Sequence, residues 1–233
     1  GPPLPTPAIK AERAKKVLIV TTMKNEGPFI LEWIAYHRSI GVTDFVIYTN
    51  DCDDGTDEMH DLLEAKGIVT EHHVNPFKSN SKAKDPQRAA LWDAEKQRPS
   101  QESDWIIPMD VDEFINIHVG DGKFQEMLDV VPDANMISMV WRLFGNGFQT
   151  KYRDGFITEN MTWCAHERCN KPHQAWGFKT AFRDIGAYKH FSVHRPQQLL
   201  EDVADDIRWY SSAGQRMRYA QMLVTAVIRR RFE

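Results

Sequence analysis

Trp105-Ile106-Ile107-Pro108-Met109-Asp110-Val111-Asp112-Glu113-Phe114 is an apolar run that ends in acid. Trp105 to Met109 reads as a buried strand. Side chains alternate along a strand, so Asp110 and Asp112 are expected on one side and Val111 on the other. Two carboxylates on one side repel each other unless a cation sits between them. Oxygen ligands of this kind suit Mg²⁺ or Mn²⁺, which keep positions open for substrate phosphates. The competing reading is a solvated acidic turn after a strand, and this stretch alone does not choose between the two.

The residues before it supply the context. Val17-Leu18-Ile19-Val20, inside a strand from Lys16 to Thr22, is a continuous β-branched run typical of a strand buried on both faces. Asn25-Glu26-Gly27-Pro28 opens a helix whose apolar face carries Ile30, Trp33, Ile34 and His37 and which Gly41 ends. A second strand, Asp44 to Thr49, breaks into Asn50-Asp51-Cys52-Asp53-Asp54-Gly55-Thr56, where Asp54 or Thr56 can cap a helix from Asp57 to Lys66. Ile68 to Val74 reads as a third strand, Asp85 to Gln97 as a helix, and Trp105 to Met109 as the fourth strand. Strands and helices alternating at such short spacing predict right-handed βαβ units on a parallel sheet. Open sheets of that class bind ligands beyond the carboxyl ends of their strands. Lys24 to Glu26, Asn50 to Asp54 and Asp110 to Glu113 all fall at such ends, which lifts the acidic pair above a solvated turn.

The chain has 233 residues and a formal net charge of −4, enough for a sizeable core and unfavourable for a general nucleic-acid surface. Its three cysteines, an odd and low number, argue against a disulfide framework. No apolar run reaches spanning length and no signal peptide is visible, so a soluble, cytoplasmic protein is expected. Residues 1–14 read as a Pro-rich linker or tag remnant, and 15–233 as one domain that could be cut from a longer protein.

The second half is less regular. Phe124 to Val131 reads as a helix, Met136 to Trp141 as a strand, Leu143 to Phe148 as a glycine-rich turn flanked by aromatics, and Phe178 to Arg183 as another strand with His190 to Arg195 as its neighbour. Gln215 to Arg231 reads as an amphipathic helix ending in Arg229, Arg230 and Arg231. An ordinary packed helix is the favoured reading. The alternatives are peripheral contact with the inner face of a membrane and an artefact of a truncated chain.

Taken in order, Lys24-Asn25-Glu26, Glu32-Trp33-Ile34-Ala35-Tyr36-His37, Gly41-Val42, Asn50 to Thr56 and Asp110-Val111-Asp112-Glu113-Phe114 resemble the family-2-like glycosyltransferases, and more narrowly the branch related to family 92. The likeness runs from about Lys16 to Phe114, and more loosely through Trp141 to Gly147, Lys179 to Arg183 and His190 to Pro196. It implies a GT-A fold, with 15–115 as the nucleotide-sugar half and 116–233 as the acceptor-side half. It also implies a nucleotide-sugar donor, expected to be a UDP-sugar, and Mn²⁺ or Mg²⁺. Asp51 would hydrogen-bond the base, Asp110 would reach the ribose or the metal, and Asp112 would hold the metal. His194 is a further metal ligand or else a satisfied imidazole between packed strands. Lys84, Gln87 or Arg88 would contact base or phosphate, with Asn25 and Glu26 beside the nucleotide pocket.

The resemblance implies transfer with inversion, with retention as the alternative, to the hydroxyl of a saccharide or lipid-linked acceptor. Such transfer needs a general base; Glu167 and Asp202 are the candidates, each also readable as a surface acid. Trp141, Phe144, Trp163 and Trp176 could form a sugar-stacking wall or belong to the core. Three other readings compete. A zinc site at Cys164, His166, Cys169 and His173 is tight for a tetrahedron. A nucleotidyltransferase would usually carry a glycine- and lysine-rich phosphate loop after the first strand, which is missing from Thr22 to Gly27. An inactive sugar- or nucleotide-binding module fits poorly with intact Asp51, Asp110 and Asp112.

Overall fold

The computed structural model describes residues 13–79, 82–166, 169 and 177–217, and of residues 201, 202 and 204 the backbone alone. The first half follows the alternation read from the sequence. It contains β1 (Val17–Met23), α1 (Gly27–Ile40), β2 (Asp44–Thr49), α2 (Thr56–Ala65), β3 (Glu71–Val74), α3 (Pro86–Ala94), α4 (Arg98–Glu102) and β4 (Trp105–Pro108). The second half adds α5 (Phe124–Val130), β5 (Met136–Val140), β6 (Phe144–Gly145), α6 (Ile157–Asn160), β7 (Trp163–Cys164), β8 (Phe178–Phe182), β9 (Tyr188–His190), β10 (Gln197–Leu199), β11 (Trp209–Tyr210) and β12 (Arg216–Met217).

The central sheet has eight strands in the order β12-β11-β5-β8-β4-β1-β2-β3. β1 pairs in parallel with β2 and β4, β2 with β3, and β5 with β11, while β8 and β12 run antiparallel to their neighbours. The molecule is therefore a mixed α/β protein with a mostly parallel central sheet and flanking helices. Alternation along β1 sorts its side chains to the two faces. Val17 and Ile19 join Ile30 and Trp33 of α1, Leu63 of α2 and Phe124 of α5, whereas Leu18 and Val20 join Ala90, Leu91 and Ala94 of α3.

β8 has the orientation that matters most for function. The chain leaves the sheet at Trp141 and rejoins it at Gly177, where the Trp141 N–H donates to the Gly177 carbonyl at 2.9 Å. It thus returns at the end it left, and β8 must run backwards between β4 and β5. The pairing of Ile106 with Phe182 and of Met139 with Lys179 carries Lys179 beyond the end of β4.

Several expectations change. β3 begins at Glu71 rather than Ile68, because Ile68 to Thr70 form the turn after α2 while Val69 plugs the core. The helix expected from Asp85 to Gln97 ends at Ala94, and a second short helix, α4, follows with Pro99 in its first turn. Within the expected glycine-rich turn, Phe144 and Gly145 pair with Cys164 and Trp163 as a small ribbon. The segment from His190 to Arg195 packs against β8 but is not paired with it as a strand; β9 pairs instead with β10. The start of the expected terminal helix, Arg216 and Met217, is a strand paired with Tyr210 and Trp209, and positions beyond 217 lie outside the described residues. Among the described residues no helix is long and apolar enough to cross a membrane.

Candidate functional site

The site lies beyond the carboxyl ends of β1, β2 and β4. β4 stops at Pro108, so the acidic residues follow the strand rather than extend it, and strand alternation does not place Asp110 beside Asp112. They sit in a turn in which the Glu113 N–H donates to the Asp110 carbonyl at 3.2 Å. Val111 still turns inward, 8% exposed, whereas Asp112 is exposed.

The two aspartates have different surroundings. One Asp110 oxygen accepts from Gln87 Nε2 at 2.5 Å and the other from Lys179 Nζ at 2.7 Å. Lys179 also lies 3.6 Å from Glu113, and its side chain is only 3% exposed. Burial pushes the Glu113 carboxyl up to about 7, against the opposing pull of the Lys179 ammonium. Asp112 makes no hydrogen bond or ion pair among the described residues. Its charge is nevertheless felt at Glu26, whose carboxyl is raised first by burial and then by Asp112 and Asp54.

Helix α1 holds the acidic turn from below. Trp33 Nε1 donates to the Glu113 carbonyl at 2.8 Å and the Tyr36 hydroxyl to the Ile115 carbonyl at 2.9 Å. His37 is fully buried. Its Nδ1 meets the Trp33 carbonyl at 2.8 Å and its Nε2 accepts the Ile115 N–H at 3.3 Å, which assigns the neutral Nδ1–H tautomer. Desolvation lowers this imidazole to about 4, so it stays neutral at ordinary pH. The helical face read from the sequence as core is thus also a set of backbone clamps. The spacing of Trp33, Tyr36 and His37 carries that signal only once Phe114 and Ile115 are known to lie across them.

The loops after β1 and β2 are laced together. Asn25 Nδ2 donates to Asp53 at 2.6 Å, the Asp53 N–H returns to Asn25 Oδ1 at 2.9 Å, and Asp54 accepts from the Gly27 N–H at 3.3 Å. Asp54 also accepts from the N–H and hydroxyl of Thr56, one residue before the position that a cap would take. Asn25 and Asp51 both have left-handed backbones, with φ of 56° and 52°. Asp51 pairs with Lys78 at 2.5 Å, and this cation holds its carboxyl below the usual range. A cavity of about 300 Å³ opens here, lined by Thr22, Met23, Lys24, Asn50, Asp85, Pro86 and Gln87. Asp85 caps α3 by accepting the Arg88 N–H at 2.8 Å and also binds the Arg88 guanidinium, so Arg88 is turned onto the cap, while Lys84 is exposed before it. Of the three residues singled out from the sequence around α3, Gln87 reaches the acidic turn.

The acceptor-side expectations fare differently. Glu167 and Trp176 lie outside the described residues, as do the side chain of Asp202 and residue His173 of the zinc reading. Asp202 falls in the 3-10 turn Glu201–Asp206. His194 Nδ1 lies 3.0 Å from the Phe178 carbonyl, with its ring against Trp141 and Phe178. That places it beside Lys179 at the site end of β8. Phe144 and Trp163 are not core: they are 58% and 65% exposed on the small ribbon. Among the described residues no group of three or more His, Cys, Asp and Glu side chains is placed to hold a metal. The residues still fit a divalent cation of the Mg²⁺ or Mn²⁺ kind, which needs only one or two carboxylates beside substrate phosphates. Asp112 offers such a carboxylate, and its mutual repulsion with Glu26 is the unbalanced charge that a cation would relieve.

The profile of glycosyltransferase family 92 matches residues 20–227. The chain belongs to glycosyltransferase family 92. It is 36% identical over 210 residues to a family-92 protein of Arabidopsis thaliana, covering 86% of this chain and 32% of that protein. It is 31% identical over 117 residues to one from Ricinus communis (50% and 20%) and 26% identical over 153 residues to one from Oryza sativa subsp. japonica (64% and 25%). This family-92 chain therefore spans about a third or less of the relatives' lengths.

Proposed function

We propose that this family-92 chain carries out glycosyl transfer from a nucleotide-sugar donor, a UDP-sugar, to an acceptor hydroxyl with inversion, on a GT-A fold and with Mn²⁺ or Mg²⁺. The observation that carries this reading is convergence. The cavity, the laced loops of Asn25 and Asp51 and the acidic turn meet at the carboxyl ends of adjacent parallel strands, in a chain of a glycosyltransferase family.

In this reading the cavity takes the nucleoside, and the Asp51–Lys78 pair at its edge addresses the base. Asp110, held by Gln87 and Lys179, offers a fixed carboxylate to the ribose. Asp112, with His194 as a further ligand, holds the divalent cation, which when bound supplies charge neutralisation to the diphosphate leaving group. Exposed Phe144 and Trp163 present flat apolar faces that suit a saccharide acceptor. The clamps from α1 fix the acidic turn beforehand, so its dipoles need little rearrangement during reaction. The general base belongs to the acceptor side, with Glu167 and Asp202 as its candidates.

Thermal stability with UDP, GDP or CMP, each with Mn²⁺ or EDTA, tests the reading. UDP with Mn²⁺ is expected to raise the Tm of the wild type, and EDTA or Asp112→Ala to remove that rise. No shift with any nucleotide would overturn the donor site. Release of free sugar from the donor then separates an active enzyme from a binding module.

A further inference from the structure

Lys179 is the least expected charge in the molecule. It stands on a central strand, its side chain 3% exposed, with its ammonium 2.7 Å from Asp110 and 3.6 Å from Glu113. A buried ion pair of this kind is a poor source of stability, because desolvating both charges offsets most of their attraction. Apolar residues would fill the same place on β8, where Thr180, Ala181 and Phe182 are all buried. The reversed direction of β8 brings this one cation to the acidic turn, and Gln87 occupies the remaining Asp110 oxygen.

We infer that Lys179 is a built-in counter-ion: its ammonium takes the cation position at Asp110, which leaves the divalent metal to Asp112. Lys179 is thus a positioning residue, acting on the donor site through Asp110. The inference rests on the proposed metal-dependent reading but is separable from it. The physical reason is charge balance. Asp110, Asp112, Glu113 and Glu26 gather around one turn, and an anionic diphosphate has to approach them. A fixed positive charge beneath the turn removes one carboxylate from competition for the metal. It also lowers the negative potential before the donor arrives.

Mn²⁺ alone is the probe, titrated into the nucleotide-free protein and followed by the loss of the free-ion electron spin resonance signal, with Tm measured in parallel. Lys179→Met frees Asp110 and Glu113, so Mn²⁺ should bind tighter than to wild type by about tenfold or more, the scale of removing one nearby charge under strong screening. Mn²⁺ should also raise the Tm of this variant more than that of wild type. Lys179→Arg keeps the charge and should return Mn²⁺ affinity to the wild-type level, which a merely space-filling role would not require. Lys179→Met/Asp110→Asn removes the pair together and provides a second route should Lys179→Met alone fail to fold. Its Mn²⁺ affinity should stay within about threefold of wild type, whereas loss of binding in the double variant would make Asp110 a direct ligand and overturn the inference. Unchanged Mn²⁺ affinity in a folded Lys179→Met would overturn it too. Neither result touches the nucleotide response of the wild type, on which the glycosyl-transfer reading stands.

Discussion

The acidic turn after β4 and the aromatic ribbon of β6 and β7 stand at the same end of the sheet but are built in opposite ways. The turn is held from below by Trp33 and Tyr36, which donate to its carbonyls, and by His37, which accepts one of its N–H groups. The ribbon presents its side chains outward: Phe144 is 58%, Trp163 65% and the neighbouring Phe148 86% exposed. Between its two strands the chain is tied to the first half by Glu32, one residue before Trp33, whose carboxylate accepts from the Ile157 N–H, the Thr158 N–H and the Thr158 hydroxyl at the start of α6. One helix thus clamps the turn with neutral groups and the segment at α6 with a single carboxylate. The difference suits the proposed roles, since a donor diphosphate needs fixed geometry and a saccharide acceptor needs accessible rings.

The strongest way to break the contrast is Trp33→Ala. It should cost about 3–5 kcal/mol in denaturant unfolding, because it opens a core cavity and leaves the Glu113 carbonyl without its donor. Global stability should fall together with the nucleotide response.

Acid should act next, and from the same side. Burial lowers both His37 and His60 to about 4, from the 6.5 of an ordinary imidazole. The unfolded chain therefore binds more protons between those values. The contribution of the two imidazoles is complete above about 6.5 and is lost as pH falls toward 4, by up to about 3 kcal/mol each. Glu113, whose carboxyl is raised to about 7, opposes it by favouring the folded state as pH falls through the same window. His37→Gln should remove one share of that slope in denaturant titrations at stepped pH. A slope unchanged in the variant would mean that His37 is not held neutral.

Glu32→Gln tests the other grip. It should cost about 1–3 kcal/mol locally, seen as faster amide exchange from Ile157 to Cys164 with little change in the turn at Asp110. Equal loosening of both regions would erase the distinction drawn between them. The smallest effect is expected at Phe148→Ser. Stability should stay within about 0.5 kcal/mol of wild type, while acceptor KM rises if the ring faces the sugar.

The same contrast explains what was legible in the sequence. β1 and β2 were plain because continuous apolar runs have few alternatives, and the polar clusters after them could be placed by topology alone. The acidic pair was found, but not its geometry: the strand stops at Pro108, so the two-residue period that aligned Asp110 with Asp112 does not reach them. Lys179 could not be read as a partner of Asp110, because nothing local says that β8 runs backwards between β4 and β5. The ribbon is not legible, since two-residue strands leave no period to detect and aromatics flanking glycines read equally as core. Gly177 shows what such a reading lacks. A Cβ there would fall inside the Trp141 ring, a requirement set entirely by tertiary contact.

Asn25 and Asp51 hold their left-handed backbones at the ends of neighbouring strands, a conformation costing each about 1–2 kcal/mol relative to its relaxed form. The protein therefore carries a standing energetic penalty in these two loops. In the proposed reading the gain is kinetic: loops already in their strained shape do not have to search for it, so capture of the proposed nucleotide would be set by encounter and escape rather than by folding of the pocket around its guest.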